Sequence, residues 1–174
     1  MIEFKIHLEN DNVSLVQTEE EHFHGLYTVG SSPIIWEQHK DRDRWEKDNF
    51  RKYIDGGLDN KEGCYTIIDK KLNKIIGTTR YYSFNEKEPS VKIGYTFISD
   101  EYWGTSMNFQ IKKLMLDYIF QYLDKVYFEI WEENIRSQNS VEKLGGKKLR
   151  LEKNNKYLYL IEKKVWERFI STQP

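Results

Sequence analysis

The stretch Tyr102-Trp103-Gly104-Thr105-Ser106-Met107-Asn108 sets small and hydroxyl-bearing side chains between an apolar run, Ile93 to Ile98, and a long amphipathic segment. A turn from strand to helix leaves several backbone N–H groups without an intrahelical partner, and the helix dipole adds partial positive charge there. Such a place suits an anion, a phosphate above all. One glycine and two hydroxyls also occur in ordinary turns, so the rest of the chain must decide between the two readings. Other chemistry is sparse. Cys64 is the single cysteine and the four histidines are scattered, so neither a disulfide framework nor a Cys/His cluster at zinc spacing is present. His22 and His24 are two apart and do not share a helical face.

The elements that must position this turn follow from a chain of 174 residues, a length that fits one domain over 1–174 burying roughly two thirds of its unfolded surface. Lys+Arg 27 against Asp+Glu 28 gives a formal charge of −1, which provides no overall basic field for nucleic acid or a membrane surface. No segment approaches the roughly twenty apolar residues of a membrane span, and the N-terminus Met1-Ile2-Glu3-Phe4-Lys5-Ile6-His7 has no long apolar core. A soluble, cytoplasmic protein is the expectation. Aromatic residues at 15% are many for so hydrophilic a chain and point to a core or groove of Tyr, Trp and Phe.

Along the chain, Val13 to Thr18 alternates as a first strand, and Thr18 with Glu21 has the spacing of a capping box for a helix carrying Phe23, Leu26 and Tyr27. Gly30-Ser31-Ser32-Pro33 stops that helix. A second runs from about Arg44, with Trp45, Phe50, Tyr53 and Ile54 on one side, to Gly56-Gly57. Cys64 to Asp69 and Lys74 to Tyr82 read as an antiparallel hairpin, followed by a strand from Ser90 to Ile98 whose interior Gly94 marks a bulge or a close approach. After the turn, Met107, Ile111, Leu114, Met115, Tyr118, Ile119 and Tyr122 recur at helical spacing for about five turns, with Lys112 and Lys113 off the buried face. Val126 to Trp131 is a strand, and Asn134 to Leu144 a helix with Ile135, Val141 and Leu144 inward, capped by Gly145-Gly146. Lys147 to Leu151 and Tyr157 to Glu162 form a final antiparallel pair, and Val165 to Phe169 a last helical turn.

Ile93-Gly94-Tyr95, Tyr102-Trp103-Gly104-Thr105, Asn134-x-x-Ser137, Glu142-Lys143-Leu144-Gly145 and Tyr157-x-Tyr159-x-Ile161-Glu162, in this order, resemble the GNAT superfamily of acyl-CoA N-acyltransferases. The resemblance extends from the Val13 strand through Trp166, and its nearest branch is similar to the ribosomal-protein N-terminal acetyltransferases, RimJ/RimL-like. It implies an α/β (α+β) fold with a mixed, mostly antiparallel central sheet of about six to seven strands, a splayed CoA-binding cleft and about four flanking helices. It also implies acetyl-CoA as co-substrate, with no metal.

By position, the resemblance gives the backbone of Phe97 and Ile98 to the pantetheine arm and Trp103, Gly104, Thr105, Ser106, Met107 and Asn108 to the pyrophosphate. Trp103, Ser106 and Asn108 stand where the superfamily has its polar anchor and glycines. A serine at 106 would be strained if held at positive φ, which would weaken CoA binding. Asn134 contacts the pantetheine region while also reading as a plain N-cap, and Ser137 holds the hydroxyl that protonates the departing thiolate. Lys143, like Lys112 and Lys113, would approach the adenosine phosphates.

Direct transfer needs a neutral amine, hence a base or a water relay. The family's carboxylate position is taken by Lys92, which leaves Glu88, Glu129 or a water chain through Tyr95. A peptide α-amino group, whose pKa is close to neutral, needs the least help. Trp36, His39, Trp45 and Tyr53 gather with Glu37, Asp41, Asp43 and Glu46 on the acceptor side, a mixture that suits a cationic amine or a basic peptide and equally suits core aromatics under a solvated face. The expected partners are therefore acetyl-CoA and a peptide N-terminus or small amine, in a monomer or homodimer. The alternatives are a small-molecule (antibiotic or polyamine) N-acetyltransferase and a non-catalytic acyl-CoA-binding module on the same fold.

Overall fold

Runs rich in β-branched and aromatic residues become strands, and the one ending at Ile98 is the pivot of the sheet. The computed structural model describes residues 1–173. Its strands are β1 Leu8–Glu9, β2 Val13–Gln17, β3 Cys64–Asp69, β4 Lys74–Asn85, β5 Ser90–Ile98, β6 Lys125–Trp131, β7 Lys147–Leu151 and β8 Lys156–Glu162. They form one sheet in the order β1-β2-β3-β4-β5-β6-β8-β7. Every neighbouring pair is antiparallel except β5 and β6. The helices are α1 Phe23–Gly30, α2 Pro33–Trp36, α3 Lys47–Leu58, α4 Met107–Ile119, α5 Ile135–Glu142 and α6 Lys163–Ser171. The sheet has more strands than the sequence reading expects because the two-residue β1 is too short to carry a pattern.

Successive strand residues face opposite sides, so Ile98 enters the core under α4 with Ile111, Met115 and Ile119, while Phe97 enters a second core with Leu26, Trp36, Phe50, Tyr53 and Ile54 from α1 to α3. Burying each such side chain stabilises the fold by roughly 1.5–3 kcal/mol. In the second core α1 and α3 touch closely, since a Cβ on Gly30 would stand 2.1 Å from the Phe50 ring.

Several local expectations are corrected. The first helix is introduced by a capping box of Glu19 and His22 rather than Thr18 and Glu21, because Thr18 is buried and its hydroxyl bonds Thr66 Oγ1 at 3.0 Å. Gly56-Gly57 does not stop α3, which continues to Leu58; Gly57 is instead the place where the helix meets Cys64 and the Arg80 guanidinium. α4 has 13 residues, fewer than five turns, and its buried stripe is Met107, Ile111, Lys112, Met115, Leu116 and Ile119. That stripe is rotated from the expected one, leaving Tyr122 exposed and Lys112 inside. Ile135, expected inward, is exposed.

Candidate functional site

β5 and β6 pair only at Ser90↔Lys125, Val91↔Val126 and Lys92↔Tyr127, then part. The cause is a bulge: the β4 partners of β5 step from Thr78↔Phe97 to Arg80↔Gly94, so β5 carries an extra residue around Tyr95 and Thr96, and Tyr95 has φ +49°. A bulge bends and twists its strand. The parted strands bound a cleft of about 540 Å³ lined by both of them, by the turn after β5 and by α4 and α5. The Tyr53 hydroxyl, donating to the Tyr95 carbonyl, fastens the bulge to α3.

At the turn, the left-handed residue is Gly104 at φ +74°, whereas Ser106 sits at φ −74°. The strain expected for a serine at 106 therefore does not arise. The N–H groups of Gly104, Ser106, Asn108 and Phe109 have no backbone or side-chain acceptor among the described residues, while Met107 N is satisfied by Thr105 Oγ1 at 3.2 Å. Free amides at the start of a helix suit an anion such as phosphate. Nothing lies within 4 Å of a Cβ built on Gly104, so phosphate has open approach. Gly104→Ala should cost about 1 kcal/mol of stability, wholly conformational, read as a lowered urea midpoint at unchanged slope; an unchanged midpoint would contradict the left-handed turn.

Trp103, Gly104, Thr105 and Asn108 line the cleft, as do Phe97 and Ile98; Ser106 and Met107 do not. Met107 is packed in the core and the Ser106 hydroxyl accepts from Gln110 Nε2, so residue 106 offers its amide and residue 107 only support. The Trp103 indole donates to Ile98 O at 3.3 Å and lies 3.5 Å under the Arg136 guanidinium. Asn108 Nδ2 donates to Ser140 Oγ at 2.6 Å, joining α4 to α5.

Asn134 is buried at the N-cap of α5, where its Oδ1 accepts from Ser137 N at 3.1 Å. That bond uses the backbone of Ser137 and leaves its hydroxyl without a partner among the described residues, half-buried on the cleft wall. Lys143 lines the same wall. Lys113 instead pairs with Asp117 on the outer side of α4.

The titratable groups are arranged differently from the sequence expectation. Glu129 lines the cleft, but Lys92 Nζ holds its Oε1 at 2.8 Å, so it is not a free base. Glu88 is exposed in the β4–β5 turn, outside the cleft. Tyr95 borders the cleft with its ring exposed. Of the proposed acceptor contacts, Tyr53 lines the cleft. Trp36 is fully buried, with its indole donating to Gly30 O at 2.7 Å, and supports Tyr53 and Phe97 from behind. Trp45 points outward and lines no part of the cleft. Glu37 and Asp41 are neutralised by Arg136 and Arg44. His39 is pushed down to about 4 by burial, with Arg44 and Arg136 adding to the effect, and is uncharged near neutrality.

Lys112, expected off the buried face and near the adenosine phosphates, is placed elsewhere by the structure. It is 5% exposed, lines the cleft, and donates to Thr96 Oγ1 at 2.7 Å and Thr79 Oγ1 at 3.1 Å. Burial brings its pKa down to about 7. Its place on the helix was the available signal, since at about 100° per residue Lys112 falls between Ile119 and Leu116, both buried.

Parting parallel strands that open onto a helix N-terminus with free amides, opposite a wall with a free hydroxyl, define a mixed α/β fold with a cleft suited to a phosphate-bearing ligand. The chain belongs to the GNAT acetyltransferase family, whose domain model matches residues 12–147. Members use acetyl-CoA and transfer its acetyl group. Among solved structures, a GCN5-related N-acetyltransferase from Brucella melitensis superposes with TM-score 0.80 at 15% identity, covering 96% of this chain and 83% of that one. A Vibrio cholerae protein provisionally described as a ribosomal-protein-serine acetyltransferase gives TM-score 0.76 at 12% identity, with 92% and 99% covered. FdhC, described as a nucleotide-linked sugar GNAT, gives 0.69 at 18% identity, with 94% of each chain covered. At such identities the likeness establishes the fold alone. No curated protein matches the chain in sequence.

Proposed function

We propose that the protein acetylates a primary amine by direct attack within a ternary complex with acetyl-CoA, and that the acceptor is a peptide α-amino group. The observation that carries the acceptor assignment is the base set of the cleft: Glu129 is paired, and the buried Lys112 is poised near pH 7. Such an acceptor of protons is matched to an α-amino group, with a pKa near ~8, better than to an alkylamine near ~10.4. The turn amides and Asn134 would hold the co-substrate, which supplies the acyl group. The amine nitrogen bonds to the thioester carbon and its proton passes by way of the Thr96 hydroxyl to the Lys112 nitrogen. The carbon–sulfur bond breaks and the sulfur takes a proton from Ser137 Oγ, which regains one from water as Lys112 returns its own to solvent.

Release of CoA thiol across peptides with free and blocked N-termini, polyamines and aminoglycosides tests this reading. Turnover confined to free α-amino peptides is expected. Turnover of polyamines or aminoglycosides in their place would overturn the acceptor assignment, and no turnover with any amine would overturn acetyl transfer itself.

A further inference from the structure

On the α3 side of Tyr95 the cleft continues into a second recess of about 470 Å³, with which it shares Asp41, Arg44, Tyr53 and Tyr95. Neither the turn after β5 nor α5 borders it, so it lies at the end away from the free amides of α4. Its floor holds Arg80 of β4, which is 4% exposed and belongs to no ion pair among the described residues. The guanidinium carbon lies 4.7 Å from the centre of the Tyr53 ring and 4.5 Å from that of Tyr95. Its Nη2 donates to the Tyr53 carbonyl, but its Nε is buried without an acceptor among the described residues. A guanidinium removed from water keeps its charge, and aromatic faces with one carbonyl compensate only part of that desolvation.

The surroundings are shaped to admit this side chain. A Cβ at Gly57 would stand 3.0 Å from Nη2 and 3.1 Å from Nε, so the glycine is what lets the guanidinium lie against α3. The Tyr95 ring that covers it is carried by the left-handed bulge residue, a conformation that costs of order 1 kcal/mol for a non-glycine residue. Arg44, 5.0 Å from the Tyr53 ring centre, and Lys52, which is in no ion pair among the described residues, bring two more cations. Against them stand Asp41, paired with Arg44, and Asp43, which accepts from Asn49 Nδ2 at 3.1 Å. The formal excess of one positive charge matches a monoanion rather than a phosphate dianion.

We propose that this recess binds a carboxylate borne by the acceptor close to its amine, with Arg80 as the principal anchor and Arg44 at the rim. The inference rests on the acetyl-transfer reading and deepens it: the acceptor is an amine with a neighbouring acidic group, not the basic peptide that the acidic residues of this region suggest in sequence. Two sources carry this chemistry, a free amino acid and a peptide with an acidic residue near its N-terminus, and the test separates them.

CoA release is measured with peptides identical except for Glu or Gln at the second residue, and with free glutamate against glutamine amide. The acidic member of at least one pair should be favoured in kcat/KM by about tenfold or more, the usual worth of a charged hydrogen bond. The favoured pair identifies the source. In Arg80→Met the acid-to-amide ratio should fall toward one, with acetyl-CoA Kd retained as the control for folding; Arg44→Gln, at a more exposed site, should lower the ratio partly. Equal rates for both members of each pair, or an undiminished preference in Arg80→Met, overturns the proposal. If no amine is acetylated, acetyl transfer falls, and the recess is decided separately by titrating propionate against tyrosine and tryptophan fluorescence: saturation lost in Arg80→Met upholds an anion site, and no saturation at millimolar propionate removes it.

Discussion

Lys112→Met should make the protein more stable and a poorer enzyme at the same time. The folded lysine titrates at about 7 against an ordinary value of 10.5. Between those two values the unfolded chain holds a proton that the folded chain lacks, so stability rises with pH by up to about 1.4 kcal/mol per unit. Below pH 7 both states are protonated and the full cost of the buried charge is present. Methionine fills similar volume without a charge, and Thr79 and Thr96 retain their own hydroxyl contact of 2.8 Å. The variant should gain roughly 3 kcal/mol at pH 7, or about 10 °C in Tm. The gain should fade as the pH approaches 10. Urea midpoints across that range test the sign directly; a loss of stability at pH 7 would show that the lysine is structural.

The same substitution should lower kcat/KM by roughly 10²-fold, the usual weight of a positioned proton acceptor. The limb of the pH profile near pH 7 should give way to one set by the acceptor amine itself. A destabilising charge kept beneath a cleft is the expected signature of function overriding fold. A variant with the wild-type profile would remove Lys112 from the proton path and leave its burial unexplained.

The strand-turn-helix order was legible because β5, the turn and α4 each carry a strong local signal: a run of apolar and aromatic residues, a glycine between polar residues, and a 3.6-residue period. The Asn134 cap was legible for the same reason, since the Asn134 and Ser137 spacing is itself the bond. What escaped depended on pairing across the sheet. Glu129 is disarmed by Lys92 of the neighbouring strand, Trp36 is covered by residues from three helices and β5, and Arg80 is enclosed by α3 and the bulge. None of these contacts is written at a fixed spacing. The worry over residue 106 came from assigning the left-handed conformation by family position, whereas the chain places it on its own glycine, Gly104.

Ser137→Ala should lower kcat by roughly tenfold to a hundredfold while leaving the acetyl-CoA KM and the fold nearly unchanged. The cap of α5 uses Ser137 N, which alanine retains, so the stability change should stay within about 0.5 kcal/mol. The hydroxyl itself makes no other bond among the described residues, and its loss strands no buried partner. A positional role and a proton-donating role then separate by the leaving group. An ordinary alkyl thiol has a pKa near ~8.5 and gains from a proton as the carbon–sulfur bond breaks. An acetyl thioester of a more acidic thiol departs as thiolate unaided. With such donors the gap between Ser137→Ala and wild type should close, because the missing proton is no longer needed. A deficit of equal size for both kinds of thioester would assign Ser137 to orientation of the donor, and proton delivery to the sulfur would then fall to water.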